Sequence, residues 1–287
     1  MSLPCLPAAR SFDAARHLPF VIGRVQVGWI RREDAALLAR WPAVFELGQH
    51  AVVLTDRLAT EATRSDALGE VIEALAAEQH IVGWRDETYA IRNAFEDLPL
   101  ALIERAASRF FGIMTFGVNL NGVVTAQAAH TAQLNMWIAR RSLQKPTDPG
   151  MLDTLVGGGI GWGYSVPQAL VKEAWEESGI PAELAEQARF GGVLHVLREI
   201  PEGTHAEQLY VYDLELPADF MPQNQDGEVS EHCLAPLEQV LDHLRTGSMT
   251  VDASLSALDC LRRAGKLDAA TQAQMAGLYR APELAPG

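Results

Sequence analysis

The sequence predicts an α+β fold in three successive parts, and three observations carry that prediction. Short stretches with strand alternation recur on both sides of helical patterns. One helix near the middle, Val166 to Ser178, has its own start and stop signals. The last forty residues carry a leucine stripe at helical spacing, with no strand pattern. The expected division is an N-terminal α+β unit over 1–105, a second mixed unit over 106–245, and a C-terminal helical hairpin over 246–287 packed on the second. At 287 residues the chain can bury a substantial core.

In order, residues 1 to about 17 are expected as a short helix or an extended arm. Phe20 to Ile30 alternates like a strand, and Arg32 to Trp41 reads as a helix with Ala35, Leu37, Leu38 and Trp41 inward. Ala51 to Leu54 is a second strand. A helix near Ser65 to Gln79 follows, with Leu68, Val71, Ile72 and Leu75 on one stripe. Trp84 to Ile91 reads as a short strand, and Pro99 to Arg109 as a helical connection. His17, His50 and His80 are scattered, and nothing in this unit has the pattern of a catalytic group. Phe110 to Leu120 then reads as a strand with Asn121-Gly122 as a hairpin turn. Its partner could start at Val123, and Leu134 to Ala139 is a further strand. Gly192 to Arg198 and Gln208 to Leu216 are strands joined through Pro-Glu-Gly. Pro217 to Val240 is a polar loop region. Val251 to Ala264, stopped at Gly265, and Asp268 to Tyr279 form the tail hairpin, which could also make a homodimer contact; Ala281 to Gly287 is expected to be loose.

Charge and cysteine usage narrow the function classes. A formal charge of −14 argues against nonspecific binding to nucleic acid or to anionic membranes. It leaves an anionic small molecule open, since a local cation can reverse the sign in one pocket. Cys5, Cys233 and Cys260 have no CxxC spacing, which suits a reducing compartment and provides no zinc or disulfide framework. The first twenty residues have no apolar h-region, and no later run approaches ~18 apolar residues. Neither signal peptide nor membrane span is expected, and a cytoplasmic enzyme of bacterial type is the simplest placement.

The chemistry concentrates in Gly157-Gly158-Gly159 and the helix after it. Ser165 and Gln168 form a capping-box pair, Pro167 suits a first turn, and Gly179 stops the helix. Glu173, Glu176 and Glu177 at i, i+3 and i+4 share a face. Their repulsion calls for a positive partner, and Mg²⁺ or Mn²⁺ is the natural one. Gly158, then Lys172-Glu173-Ala174-Trp175-Glu176-Glu177-Ser178-Gly179-Ile180, resembles the Nudix box at its spacing. Tyr164 stands where the family has its first Glu, and Lys172 where it has Arg. In the family those two positions support the catalytic loop by pairing; a Tyr–Lys pair would give weaker support, since Lys lacks the guanidinium fork.

The resemblance extends further. Arg140-Arg141-Ser142, Lys145 and Pro149 to Asp153 look like the segment before the box in Nudix proteins related to isopentenyl-diphosphate isomerase. With Arg109-Phe110-Phe111-Gly112 and an N-terminal unit of this size, the chain resembles the branch found with thiamine-pyrophosphokinase-like proteins. The likeness spans about residues 18 to 245, densest at the box and thinnest before Pro99. It implies a Nudix α/β/α sandwich and a divalent-metal-dependent hydrolase (a MutT-type pyrophosphatase). The substrate it implies is a small diphosphate: thiamine diphosphate, an analogue, or a nucleoside diphosphate derivative. Glu173, Glu176 and Glu177 are then metal ligands and catalytic carboxylates, with Gly158 lending a backbone carbonyl. Glu228 is the loop carboxylate that joins them, with Glu231 second, and Arg140, Arg141 and Lys145 contact phosphate. Two alternatives stand beside this: a non-catalytic Nudix-fold binding module, and an isomerase of the isopentenyl-diphosphate type.

Overall fold

The computed structural model describes residues 3–128 and 131–282. The chain opens with α1 (Cys5–Ala8), and the N-terminal unit then consists of β1 (His17–Ile22), β2 (Val25–Arg31), α2 (Arg32–Ala35), β3 (Phe45–Leu47), β4 (Val52–Leu54), α3 (Glu61–Ala77), β5 (Thr88–Ile91), β6 (Ala101–Glu104) and α4 (Ser108–Phe111). Its main sheet has the order β2-β1-β4-β3, with β1 and β4 parallel. The single strand expected over Phe20–Ile30 is in fact a hairpin. Gly23 takes φ +61°, a region open to glycine at no steric cost, and reverses the chain there. α3 starts earlier than expected because Thr60 and Thr63 form a capping box. Its stripe of Leu68, Val71, Ile72 and Leu75 is fully buried as expected.

Where a helical connection was expected, Ala101–Glu104 is a strand antiparallel to β5. Ala101 and Ile103 are buried while Leu102 and Glu104 are partly open, which is the period of a strand. Phe110 and Phe111 were expected to open the next strand. They form α4 instead and fill the N-terminal core, where Phe111 lies 5.2 Å from Phe20 and 6.2 Å from Phe45. Gly112 ends α4 at φ +57°, and a β-carbon there would collide with the Trp29 carbonyl. This apolar cluster runs from Leu18 to Ile113.

The second part comprises β7 (Met114–Ala128), β8 (Thr131–Arg141), β9 (Leu152–Thr154), β10 (Val156–Gly159), α5 (Val166–Ser178), α6 (Ala182–Ala185), β11 (Arg189–Ile200), β12 (Gly203–Glu215) and β13 (Val229–Pro236). After them come α7 (Leu237–Thr246), α8 (Val251–Arg263) and α9 (Ala269–Met275). The seven-stranded sheet runs β11-β12-β7-β8-β13, with β10 added to β7 and β9 to β8. One edge of β7 is shared: residues 117–120 pair with β10 and 123–128 with β8. That split places the glycine strand at an opening in the sheet.

Asn121-Gly122 is not a hairpin turn. β7 runs through it, because Asn121 is fully buried and its Nδ2 donates to the Ser256 carbonyl (3.2 Å), Asp213 Oδ1 (3.0 Å) and the Tyr212 carbonyl (3.3 Å). β13, within the expected polar loop, is an addition. Strand alternation sorts the core into two layers. Phe116, Val118, Leu120 and Trp137 pack toward α5, whereas Leu194, Val196, Leu209, Val211, Met136 and Ile138 pack toward α7 and α8. The result is an α/β/α sandwich with an N-terminal sheet unit and C-terminal helices. The expected tail hairpin is seen as α8 and α9. The end expected to be loose lies, from 283 on, outside the described residues.

Candidate active site

α5 forms over Val166–Ser178, as its signals demand. Ser165 accepts the Gln168 N–H, Gln168 Oε1 accepts the Ser165 N–H, and Gly179 ends the helix at φ +64°. Val166, Ala169, Leu170 and Ala174 anchor it to the sheet. The three glutamates then diverge, because successive helical residues turn by about 100°. Glu173 lies against the glycine strand, where a β-carbon at Gly158 would collide with its carboxylate. Glu176 is half-exposed. Glu177 is buried and turned away from the cleft: Oε2 accepts the Gly157 N–H (2.8 Å) and Oε1 accepts the Lys145 ammonium (3.1 Å). Burial pushes the Glu177 carboxyl up, with Lys145 and the Gly157 N–H opposing the shift.

Two ammonium groups offset part of the negative charge on this face. Lys172 Nζ donates to Glu173 Oε1 (3.0 Å) and Glu176 Oε2 (2.6 Å), so these two carboxylates converge on one cationic point. Lys145 joins Glu177 to Glu228, which reaches in from the loop before β13. Burial pulls Lys145 toward deprotonation, but the facing carboxylates reverse the effect and hold it charged. The same loop is latched to the end of α5, with Gln223 and Gln225 donating backbone N–H to the Ser178 and Glu176 carbonyls.

Lys145, Lys172, Glu173, Glu176 and Glu228 line one side of a cleft of about 510 Å³. The N-terminal unit supplies the other side: Arg85, Glu87, Tyr89, Arg105 and Arg109. Arg105 donates to Glu87 Oε2 (2.6 Å) and lies close to the third glycine of the strand. A side chain at Gly159 would collide with the Tyr89 hydroxyl, so the strand is glycine-rich on account of both walls. No pattern in residues 80–109 signalled this role; a lone arginine reads as surface until the fold seats it in a cleft.

Of the basic residues expected at phosphate, Arg141 and Lys145 line the cleft and Arg140 does not. Consecutive residues of a strand face opposite ways, so only one of the two arginines can point inward. Arg140 is spent on Glu231 (3.2 Å) and the Gly150 carbonyl, while Arg141 pairs with the partly buried Asp153 (2.8 Å). Tyr164 also lines the cleft, but among the described residues no hydrogen bond joins it to Lys172, whose ammonium goes to the glutamates. The expected Tyr–Lys support is therefore replaced by a Lys–Glu₂ contact.

Residues 121–255 match the NUDIX domain, and residues 3–115 match a domain of unknown function, DUF4743. The chain is 36% identical over 258 residues to Nudix hydrolase 20, chloroplastic, of Arabidopsis thaliana, covering 86% of this chain and 68% of that protein. It is 38% identical over 251 residues to Nudix hydrolase 24, chloroplastic, of the same plant, at the same coverage. The chain belongs to the Nudix hydrolase family. An uncharacterized protein of Saccharomyces cerevisiae is 32% identical over 64% of this chain and 56% of its own length. The crystal structure of DR0079 from Deinococcus radiodurans covers 62% of this chain and 98% of its own, with 23% identity and a TM-score of 0.44.

This Nudix hydrolase therefore carries the box with two substituted support positions. No helix among the described residues is long and apolar enough to cross a membrane. Nudix enzymes use divalent metals, and the donor set here fits one in part. Glu173 and Glu176 already bring two carboxylate oxygens onto a single cation, the Lys172 ammonium. Glu177 has both oxygens committed below the cleft, to Gly157 and Lys145.

Proposed function

We propose that the chain hydrolyses the diphosphate linkage of a small anionic metabolite, using Mg²⁺ or Mn²⁺ held at Glu173 and Glu176 beside Gly158. The observation that carries this reading is the convergence of those two carboxylates on one cationic point at the glycine strand, in a cleft whose opposite wall bears Arg85, Arg105 and Arg109. The ion, when bound, would neutralise phosphate charge and polarise phosphorus toward water. Glu177 positions the glycine strand through the Gly157 N–H and holds Lys145 in place. Glu228, tethered to Lys145 at the cleft, is suited to orient the attacking water or take its proton. The three arginines suit the phosphate oxygens better than Arg140, which faces away.

Thiamine diphosphate, an analogue and a nucleoside diphosphate derivative remain the substrate classes to test. The isomerase alternative finds no thiol in the cleft: Cys5 and Cys260 are buried in the apolar core, and Cys233 lies on β13 outside it. The test is release of phosphate or a phosphorylated product from a panel of these diphosphates, with and without Mg²⁺ or Mn²⁺. Metal-dependent release supports the proposal; tight binding of a diphosphate with no turnover of any member would establish a binding module instead.

A further inference from the structure

Across β7 from the glycine strand, the same cleft holds a second set of donors that the Nudix box does not include. His205 and Glu207 are two apart on β12 and so project from one face. Asp252 enters from the first turn of α8. His205 Nε2 stands 3.5 Å from Glu207 Oε2 and 3.5 Å from Asp252 Oδ2, and the three donor atoms lie within 4.8 Å of one another. His205 is only 7% exposed, yet its Nε2 has no hydrogen-bond partner, and neither does the buried Asp252 Oδ1. A separation of 3.5 Å is long for an N–H donor. It matches the edge of a coordination shell: bonds of about 2.1 Å at tetrahedral angles put neighbouring ligand atoms roughly 3.4 Å apart.

We propose that His205, Glu207 and Asp252 form a second cation site in the cleft, one that takes a divalent transition ion, Zn²⁺ or Mn²⁺. An imidazole nitrogen beside two carboxylates favours such ions over Mg²⁺, which prefers oxygen alone. The surroundings orient the donors. Thr115 Oγ1 lies 3.4 Å from Glu207 Oε1, which leaves Oε2 facing the imidazole. Arg198 stands 3.9 Å from Asp252 Oδ2, and Arg109 also acts on that carboxylate, so the negative charge of the two carboxylates is offset from the cleft side. Three protein donors leave coordination positions open toward the cleft, as in catalytic rather than structural sites. The competing arrangement is an imidazolium held between the two carboxylates with no metal.

The test uses the full chain carrying Glu173→Gln and Glu176→Gln, which removes the two box carboxylates that face the cleft. Titrated with Mn²⁺ alone and followed by electron paramagnetic resonance, this chain should bind one ion per molecule, with nitrogen modulation of the electron spin echo. His205→Gln added to it should abolish the modulation and weaken binding at least roughly tenfold. Zn²⁺ should displace the Mn²⁺, and millimolar Mg²⁺ should not. No bound ion in the box-deficient chain, modulation that survives His205→Gln, or equal displacement by Mg²⁺ would overturn the proposal. Should His205→Gln fail to fold, Glu207→Gln takes its place, and unweakened Mn²⁺ binding in that variant is equally decisive against it. No step measures turnover, so failure of the hydrolase reading leaves this test intact, and the reverse also holds.

Discussion

At the scale of single residues, neighbours in the box have unlike roles because the helix turns them into unlike surroundings. Glu173 and Glu176 face the cleft and share one ammonium, whereas Glu177 is buried against Gly157 and Lys145. Glu173→Gln and Glu176→Gln should leave the fold intact and lower any metal-dependent hydrolysis by at least roughly tenfold. Wild-type rates at saturating Mg²⁺ would remove both from the site. Glu177→Ala should instead cost about 3 kcal/mol in urea-induced unfolding, the scale for one partner lost from a buried pair. The Tyr164 and Lys172 substitutions should behave independently, since Lys172 is bonded to glutamates and not to Tyr164. In a thermal-unfolding cycle of Tyr164→Glu, Lys172→Arg and the double change, the effects should add to within about 0.5 kcal/mol. A larger coupling would show that the two side chains meet.

At the scale of elements, β7 is the member on which the others are hung, and Asn121 is its most informative residue. An Asn-Gly pair ordinarily favours a tight turn, but here the side-chain amide finds three carbonyl or carboxylate acceptors on β12 and α8. Those contacts tie the middle of the sheet to the C-terminal helix, and they exist only once both are in place. Asn121→Ala should destabilise the chain by about 1–3 kcal/mol by leaving buried acceptors unmet. Chemical denaturation of the full chain measures it, and a change below about 0.5 kcal/mol would mean that the amide's contacts are dispensable.

At the scale of the whole molecule, the parts are joined by more than their linkers. Leu3, Cys5, Leu6 and Ala9 pack in the same apolar cluster as Leu258 and Cys260 of α8, so the first residues of the chain close over the last helices. Burial pushes the Cys5 thiol up to about 11 and raises Cys260 further, so both are thiols rather than thiolates at neutral pH. Cys233 is exposed. At pH 8 a thiol reagent followed by mass spectrometry should therefore label one site quickly, Cys233, with Cys5 and Cys260 reacting only on unfolding. Rapid labelling of Cys5 in the native chain would show that the N-terminal segment leaves α8.

What the sequence by itself determined are the features written in local chemistry. The box helix has its ends in Ser165, Gln168 and Gly179, and its acidic face in residue spacing; caps and periodicity act over a few residues, so no distant contact was needed to read them. The β11–β12 pair joined near Pro201-Glu202 and the two tail helices were legible for the same reason. Tertiary structure alone decided which charges share a cleft. It assigned Arg141 inward and Arg140 outward, drew Glu177 below the site, and seated Arg85, Arg105 and Arg109 from a unit whose sequence showed nothing catalytic. It also brought Asp252 to His205 and Glu207 across about fifty residues of chain. Such groupings have no local signal, because the groups meet only when apolar packing elsewhere has fixed the strands and helices that carry them.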